Sequence, residues 1–386
     1  MPYSIPYIIF ISFILSIFFL QNSLKLTQRT VMILNLSVFL AYLLFFGFRG
    51  FIGWDWTIYY PFYEKLDNLF QLNLEKIMFD IGFTIYASLI KTLGFGFHSF
   101  VCISTFINVI LLHVFFKRYL PEKYYALGFA IFVVFGGFVF ETDLMRNIKS
   151  LLLFLLSLKY IENRSPYKFL LFNILGLFFH WSSIMFLPLY FFLHKPISVK
   201  TISLITIIGV VVFILKIEYI KPLLLFVGSL FGNVEKYKIT FYVHSSLFGS
   251  AYDFSLGFFE RIFTLLLILL SYKNLTTKKT SNILFINAFF IYIVIFLFFS
   301  EVTIALVRFG NLFVFSYWIL WPMLITCVNT PSKLIYTGLI LIILFFKINI
   351  VSGNILYKYD NILIGNIKTY DKRKIIFYEN YERLQK

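Results

Sequence analysis

Long stretches without a charge recur along the chain, at 5–20, 31–48, 124–140, 283–300 and 334–346. A helix needs about 20 predominantly apolar residues to cross the hydrocarbon of a bilayer, so these stretches predict membrane spans with short polar flanks. Extending the reading along the chain places spans near residues 4–22, 30–48, 97–116, 123–141, 144–161, 167–193, 200–216, 256–272, 281–300, 303–325 and 333–351. The predicted fold class is therefore an all-α polytopic integral membrane protein with about eleven transmembrane helices, within a range of roughly 10–12. The 167–193 stretch exceeds the length of one span and contains Pro188, which predicts a break and a turn back. The first stretch has no basic region before it and no small-residue cleavage pattern after it, so it is expected to stay as the first helix.

Between the spans, basic residues gather at 25–29, 117–123, 159–168 and 273–279. Lys and Arg concentrate in short cytoplasmic connections, and placing these four inside puts 49–96, 141–147 and 217–255 on the outer face. Within 49–96, Tyr59, Phe62, Tyr63, Leu66, Leu69 and Phe70 recur at helical spacing, with Glu64, Lys65, Asp67 and Asn68 opposite. That pattern predicts a helix lying along the bilayer surface. The 79–96 segment is apolar but short, interrupted by Lys91 and two glycines, and fits a re-entrant or interfacial piece as well as a span. The 217–255 loop mixes Lys221, Lys236, Lys238 and His244 with Tyr219, Tyr237, Tyr242 and Tyr252. Such a surface suits sugars and anions, or an aromatic belt. Residues 1–351 read as one transmembrane domain and 352–386 as a basic, Tyr-rich tail.

Composition agrees: 60% of residues are hydrophobic, 13% are charged, and Phe alone occurs 53 times, so lipid is the solvent for most of the surface. The formal charge of +16 would suggest nucleic acid in a soluble chain. Here the excess sits in the short connections, and no nucleic-acid partner is expected. Cys102 and Cys327 lie in apolar stretches without neighbouring His or Cys, and no H-E-x-x-H spacing occurs. No metal and no cofactor are expected. A Walker A sequence is also missing, which removes a visible site for a cytoplasmic nucleotide-sugar donor.

Arginine within a membrane costs roughly 2.5–3.5 kcal/mol on insertion scales and calls for a partner. Arg49 ends the second span, Arg146 opens a helix after Glu141 and Asp143, and Arg308 is embedded in an apolar stretch. The predicted topology brings all three to the outer face. Asp143, Arg146, Asn147 and Ser150 share one helical stripe, facing the bundle interior or a wet cavity. Clustered guanidinium groups suit a phosphate or diphosphate. Internal pairing is the other reading, with Arg49 on Asp55, Arg146 on Asp143 or Glu141, and Arg308 on Glu301. His180, followed by Trp181, Ser182 and Ser183, could act as a general base toward a hydroxyl or be a hydrogen-bonded packing residue. Asp55 could cap the surface helix, or orient a sugar hydroxyl or the base.

These residues carry a resemblance to the EpsG-like and Wzy-type bacterial polysaccharide polymerases. Arg49, Gly53, Asp55 and Tyr59 form an R-x3-G-x-D-x3-Y pattern, followed by Asp80-Ile81-Gly82-Phe83, Arg146-Asn147, Phe179-His180-Trp181-Ser182 and Arg308. In order and spacing the resemblance covers roughly residues 40–325, and Asn147 departs from the Gln expected after the arginine. It implies a metal-independent glycosyltransferase in the bacterial inner membrane, joining undecaprenyl-diphosphate-linked oligosaccharide repeats into O-antigen, capsule or exopolysaccharide at the outer face. Arg49, Arg146, Arg308, Asn147 and Tyr59 would bind substrate, with His180, Asp55 and Arg146 catalytic. Membrane lipid, a flippase and a chain-length regulator are the partners implied. A lipid-linked oligosaccharide flippase, or a glycan ligase or acyltransferase, would use similar groups.

Overall fold

A computed structural model describes residues 3–73, 75, 78–230, 232–245, 249–364 and 369–385, with the side chains of 233–235, 238, 330–331 and 381–385 excepted. Of the residues named from sequence, the side chain of Lys238 lies outside this set. The described residues are helices and their connections, with a lone antiparallel bridge between Arg49 and Asn361. Two compact units divide the chain: residues Met1–Phe192 with Asn329–Lys386, and residues Leu193–Val328.

Among the described residues, five helices are long and apolar enough to cross a membrane: Ile5–Ser23, Gln28–Gly47, Phe97–Tyr119, Glu122–Thr142 and Ser332–Ser352. Two bent pairs raise the number to seven. The remaining predicted stretches include shorter apolar helices such as Asn282–Phe298, and 167–193 divides into Pro166–Phe179 and Trp181–Phe192, so a run of apolar sequence here does not always make one unbroken helix. Large apolar side chains stand exposed along these elements, among them Ile9 at 64%, Ile207 at 62% and Ile342 at 67%. Water would not tolerate such a surface over whole helices, and lipid does. The chain is a polytopic helical membrane protein.

In the first unit the 167–193 stretch breaks at His180 rather than at Pro188. Pro166–Phe179 ends there, and His180 is extended, with φ −161° and ψ 129°. Trp181–Phe192 then runs back along the first arm, as Ser183 Oγ donates to Asn173 O at 3.1 Å. Glycine at 176 permits this closeness, since a Cβ there would meet the Ser183 hydroxyl. Arg164 donates to Tyr190 O at 3.2 Å and so ties the two arms together at the far end from His180. The segment is a hairpin with His180 at its tip.

The surface helix is shorter than its apolar pattern predicts. Trp56–Lys65 stops because Lys91 Nζ takes the carbonyls of Tyr63 and Glu64 at 2.9 and 2.7 Å, a cation where the helix leaves acceptors unpaired. Phe70, counted in the apolar stripe of that helix, falls in the separate short turn Leu69–Gln71. Lys91 belongs to Ile81–Thr92, whose 12 residues make about 18 Å at 1.5 Å each, well short of a span. By its length, this helix does not make a span by itself.

After Thr330–Ser352 the chain folds back over the loop that follows the second helix. Gly50 N donates to Asp360 O, Gly53 N to Leu356 O and Ile362 N to Phe48 O, all at 2.9–3.0 Å. The tail is thereby fixed at the end of this unit that carries the 49–96 loop.

In the second unit, Val199–Leu215 turns through 91° into Ile220–Ser229. Glu301 seats that turn: its carboxylate accepts from the main-chain nitrogens of Tyr219, Ile220 and Lys221 at 2.8, 2.5 and 3.1 Å. A carboxylate satisfies the unpaired donors and favourable dipole of a helix start. Arg261 lies beneath aromatic rings in the same unit, its Nε on Tyr292 OH at 2.8 Å and its guanidinium 4.3 Å from the Phe296 ring.

Candidate functional site

The motif loop is built around a carboxylate. Asp143 Oδ1 accepts from the main-chain nitrogens of Trp54 at 2.5 Å and Asp55 at 3.4 Å, while Oδ2 accepts from Thr142 Oγ1 at 3.0 Å and Tyr357 OH at 2.9 Å. Gly53 has φ +89°, and a Cβ there would collide with Asp143. The glycine of the pattern is thus explained by the left-handed turn and the close approach together. Asp55 occupies the N-cap position of Trp56–Lys65, where its main-chain oxygen accepts from Ile58 and Tyr59, but its side chain makes no capping bond.

Helix Trp56–Lys65 then presents Tyr59 to Arg146, at the first turn of Met145–Glu162. Arg146 Nε donates to Tyr59 OH at 3.4 Å, Nη1 donates to Asp80 Oδ2 at 2.5 Å, and the guanidinium lies 4.3 Å from the Phe79 ring. The same Asp80 oxygen faces His180 Nδ1 at 3.3 Å. A hairpin tip, a helix start and the residue preceding a short helix therefore meet through one carboxylate. The cluster is open to one side, with side-chain exposures of 23% for Arg146, 19% for Asp80 and 18% for His180.

Burial opposes ionisation of Asp80, but its hydrogen bond and charge interaction with His180, then those with Arg146, outweigh it and hold the carboxyl below its ordinary value. Burial pushes the Tyr59 phenol up to about 12, against the pull of Arg146, so it stays protonated at neutral pH. With Nδ1–H donating to Asp80, a neutral His180 would carry its lone pair on Nε2. This arrangement offers a fixed cation and an oriented base side by side.

The other predicted residues lie elsewhere. Arg49 is buried, donating to Phe46 O at 2.7 Å, Thr105 Oγ1 at 3.3 Å and Glu141 O, with the Glu141 carboxylate 3.9 Å away. That carboxylate also accepts from Tyr42 OH and Asn108 Nδ2, both at 2.9 Å, and from Thr105 Oγ1 at 3.1 Å. Lys149, one turn below Arg146, completes the buried network through Ser104 O at 2.7 Å and Asn108 Oδ1 at 2.6 Å. Asn147 is half-buried, and its side chain makes no hydrogen bond among the described residues. Arg308 belongs to the second unit, where it is exposed and reaches Tyr242 OH at 3.4 Å.

The pairings weighed from sequence are redistributed as a result. Arg49 faces Glu141 rather than Asp55, Arg146 takes Asp80 rather than Asp143 or Glu141, and Glu301 is engaged by main-chain donors. Asp80 and Lys149 are the residues whose importance sequence reasoning missed. The signal for Lys149 was a lone lysine inside an apolar helix, one turn from Arg146.

Comparison with curated proteins and with solved structures returned no match. The EpsG family model matches residues 32–361, most of the chain, and this stretch takes in every residue of the Arg146 cluster. The chain belongs to the EpsG family of polysaccharide-polymerase-like membrane proteins.

Proposed function

We propose that the protein polymerises undecaprenyl-diphosphate-linked oligosaccharide repeats at the outer face of a bacterial cytoplasmic membrane. The observation that carries this reading is the convergence of Arg146, Asp80 and His180 at the end opposite the basic connections 117–123 and 159–168. In glycosyl transfer from a lipid diphosphate, an acceptor hydroxyl oxygen bonds to the anomeric carbon as the bond from that carbon to the diphosphate oxygen breaks. The electron pair leaves with the diphosphate, and the hydroxyl loses its proton.

Each demand has a residue suited to it. His180 Nε2 takes the proton, with Asp80 fixing the ring through Nδ1. Arg146 meets the negative charge that grows on the leaving diphosphate, with Tyr59 and Phe79 fixing its plane. Asp55, half-exposed at the helix start, is placed to orient a sugar hydroxyl. Arg49 serves from within, tying the motif loop to the Glu141 network, and Arg308 with Tyr242 offers a cation for a lipid diphosphate on the second unit.

Deleting the gene should collapse the ladder of surface-polysaccharide lengths to a single repeat, read on a gel of the envelope glycan. Long chains persisting without the protein would sink the proposal.

A further inference from the structure

We infer that the C-terminal tail is a clamp that positions the site, and that Arg373 is its main positioning residue; this rests on the proposed glycosyl transfer. The family match ends at residue 361, so helix Tyr370–Gln385 lies wholly beyond it. Arg373 in that helix is 3% exposed. Its Nε donates to Phe51 O at 2.9 Å and its Nη2 to Lys358 O at 2.8 Å and Leu356 O at 3.3 Å. One guanidinium therefore joins the tail helix, the returning segment of the tail and the motif loop. Its planar fork reaches carbonyls in different directions, which a single ammonium nitrogen does less well.

Aromatic contacts extend the hold toward the reacting groups. Tyr370 stacks on Tyr60 with ring centroids 4.6 Å apart and meets Trp56 edge-on at 5.6 Å. Phe377 packs on Trp54 at 5.6 Å and on Trp56 at 6.0 Å. Trp56 and Tyr60 flank Tyr59 on the same short helix, and Tyr59 touches Arg146. Tyr357 holds the start of that helix through Asp143, whose other oxygen accepts from the Trp54 and Asp55 nitrogens. Any loosening of the tail is transmitted to the Tyr59 hydroxyl, and from there to the guanidinium that faces the leaving group. Among the described residues the tail bonds to none of Asp80, Arg146 and His180, so its expected effect is on turnover rather than on binding.

Two arms test this in the full-length chain. In membranes supplied with lipid-linked repeats, Arg373→Ala should lower turnover at least tenfold per membrane-inserted molecule, with KM changed less than twofold. Tyr370→Ala, which leaves the buried carbonyls paired, should lower it several-fold and serves if Arg373→Ala does not accumulate. Unchanged turnover in the variants that accumulate would overturn the positioning role.

The second arm needs no activity. In a chain carrying Cys102→Ala and Cys327→Ala, Ile375→Cys and Phe70→Cys should both react with an impermeant maleimide from the same side of the membrane, since these positions are 59% and 90% exposed. Labelling from opposite sides would overturn the clamp. Same-side labelling with no polymer from the unaltered protein would instead retain the clamp's placement and reject the polymerase reading.

Discussion

Asp80→Asn should lower the rate of polymer synthesis about 10²–10⁴-fold while the protein remains in the membrane, the range associated with a general base and its orienting carboxylate. Asparagine keeps the size of the side chain and removes the charge that faces both His180 Nδ1 at 3.3 Å and Arg146 Nη1 at 2.5 Å. Without it the imidazole loses the acceptor that holds its proton on Nδ1, and the guanidinium loses its anchor. The check is incorporation of a labelled repeat into polymer, normalised to membrane-inserted protein. The loss should be of similar depth from about pH 5 to 8, and the sign follows from the carboxyl's direction of shift. A carboxyl held below its ordinary value contributes fully above that value, and the contribution disappears only as pH falls through the lowered folded value. Asp80 is therefore ionised throughout the neutral range, and any fall in wild-type rate between pH 8 and 5 comes from another group.

Arg146→Ala should abolish detectable polymer, with a loss of about 10³-fold or more, because one residue supplies both the charge for the diphosphate and the mate of Asp80. Arg146→Lys tests what the fork adds. It restores a positive charge but cannot serve Tyr59 OH and Asp80 Oδ2 while lying flat over Phe79. A residual loss of about 10²-fold is expected, measured in the same assay. Full activity of the lysine variant would show that charge alone suffices and that the Tyr59 and Phe79 contacts are dispensable.

Hydropathy made the membrane class and the longest spans legible, because lipid demands long apolar runs whatever their packing. It could not show where a run breaks. His180 ends one helix through an extended backbone and a return held by the Ser183 to Asn173 bond, features of tertiary fit that Pro188 only partly signalled. Arg146 and His180 stood out as polar groups in apolar surroundings. Asp80 was visible only as part of a short motif, since its partners lie 66 and 100 residues away and nothing local marks it as their bridge. Asp143 misled for the opposite reason: it shares a helical stripe with Arg146, yet the main-chain donors of Trp54 and Asp55 and the Tyr357 hydroxyl occupy its oxygens. The tail read as basic and Tyr-rich, and its docking depends on a buried arginine bonding to main-chain carbonyls, which leaves no trace in residue type at the partner positions.

The most direct test of the polymerase reading is the purified protein in liposomes supplied with a defined undecaprenyl-diphosphate-linked repeat. Glycosyl transfer predicts a ladder of lipid-linked products and one undecaprenyl diphosphate released per new linkage, both lost with His180→Ala. Movement of the intact repeat across the bilayer with no ladder and no released lipid diphosphate would contradict it and point to a flippase.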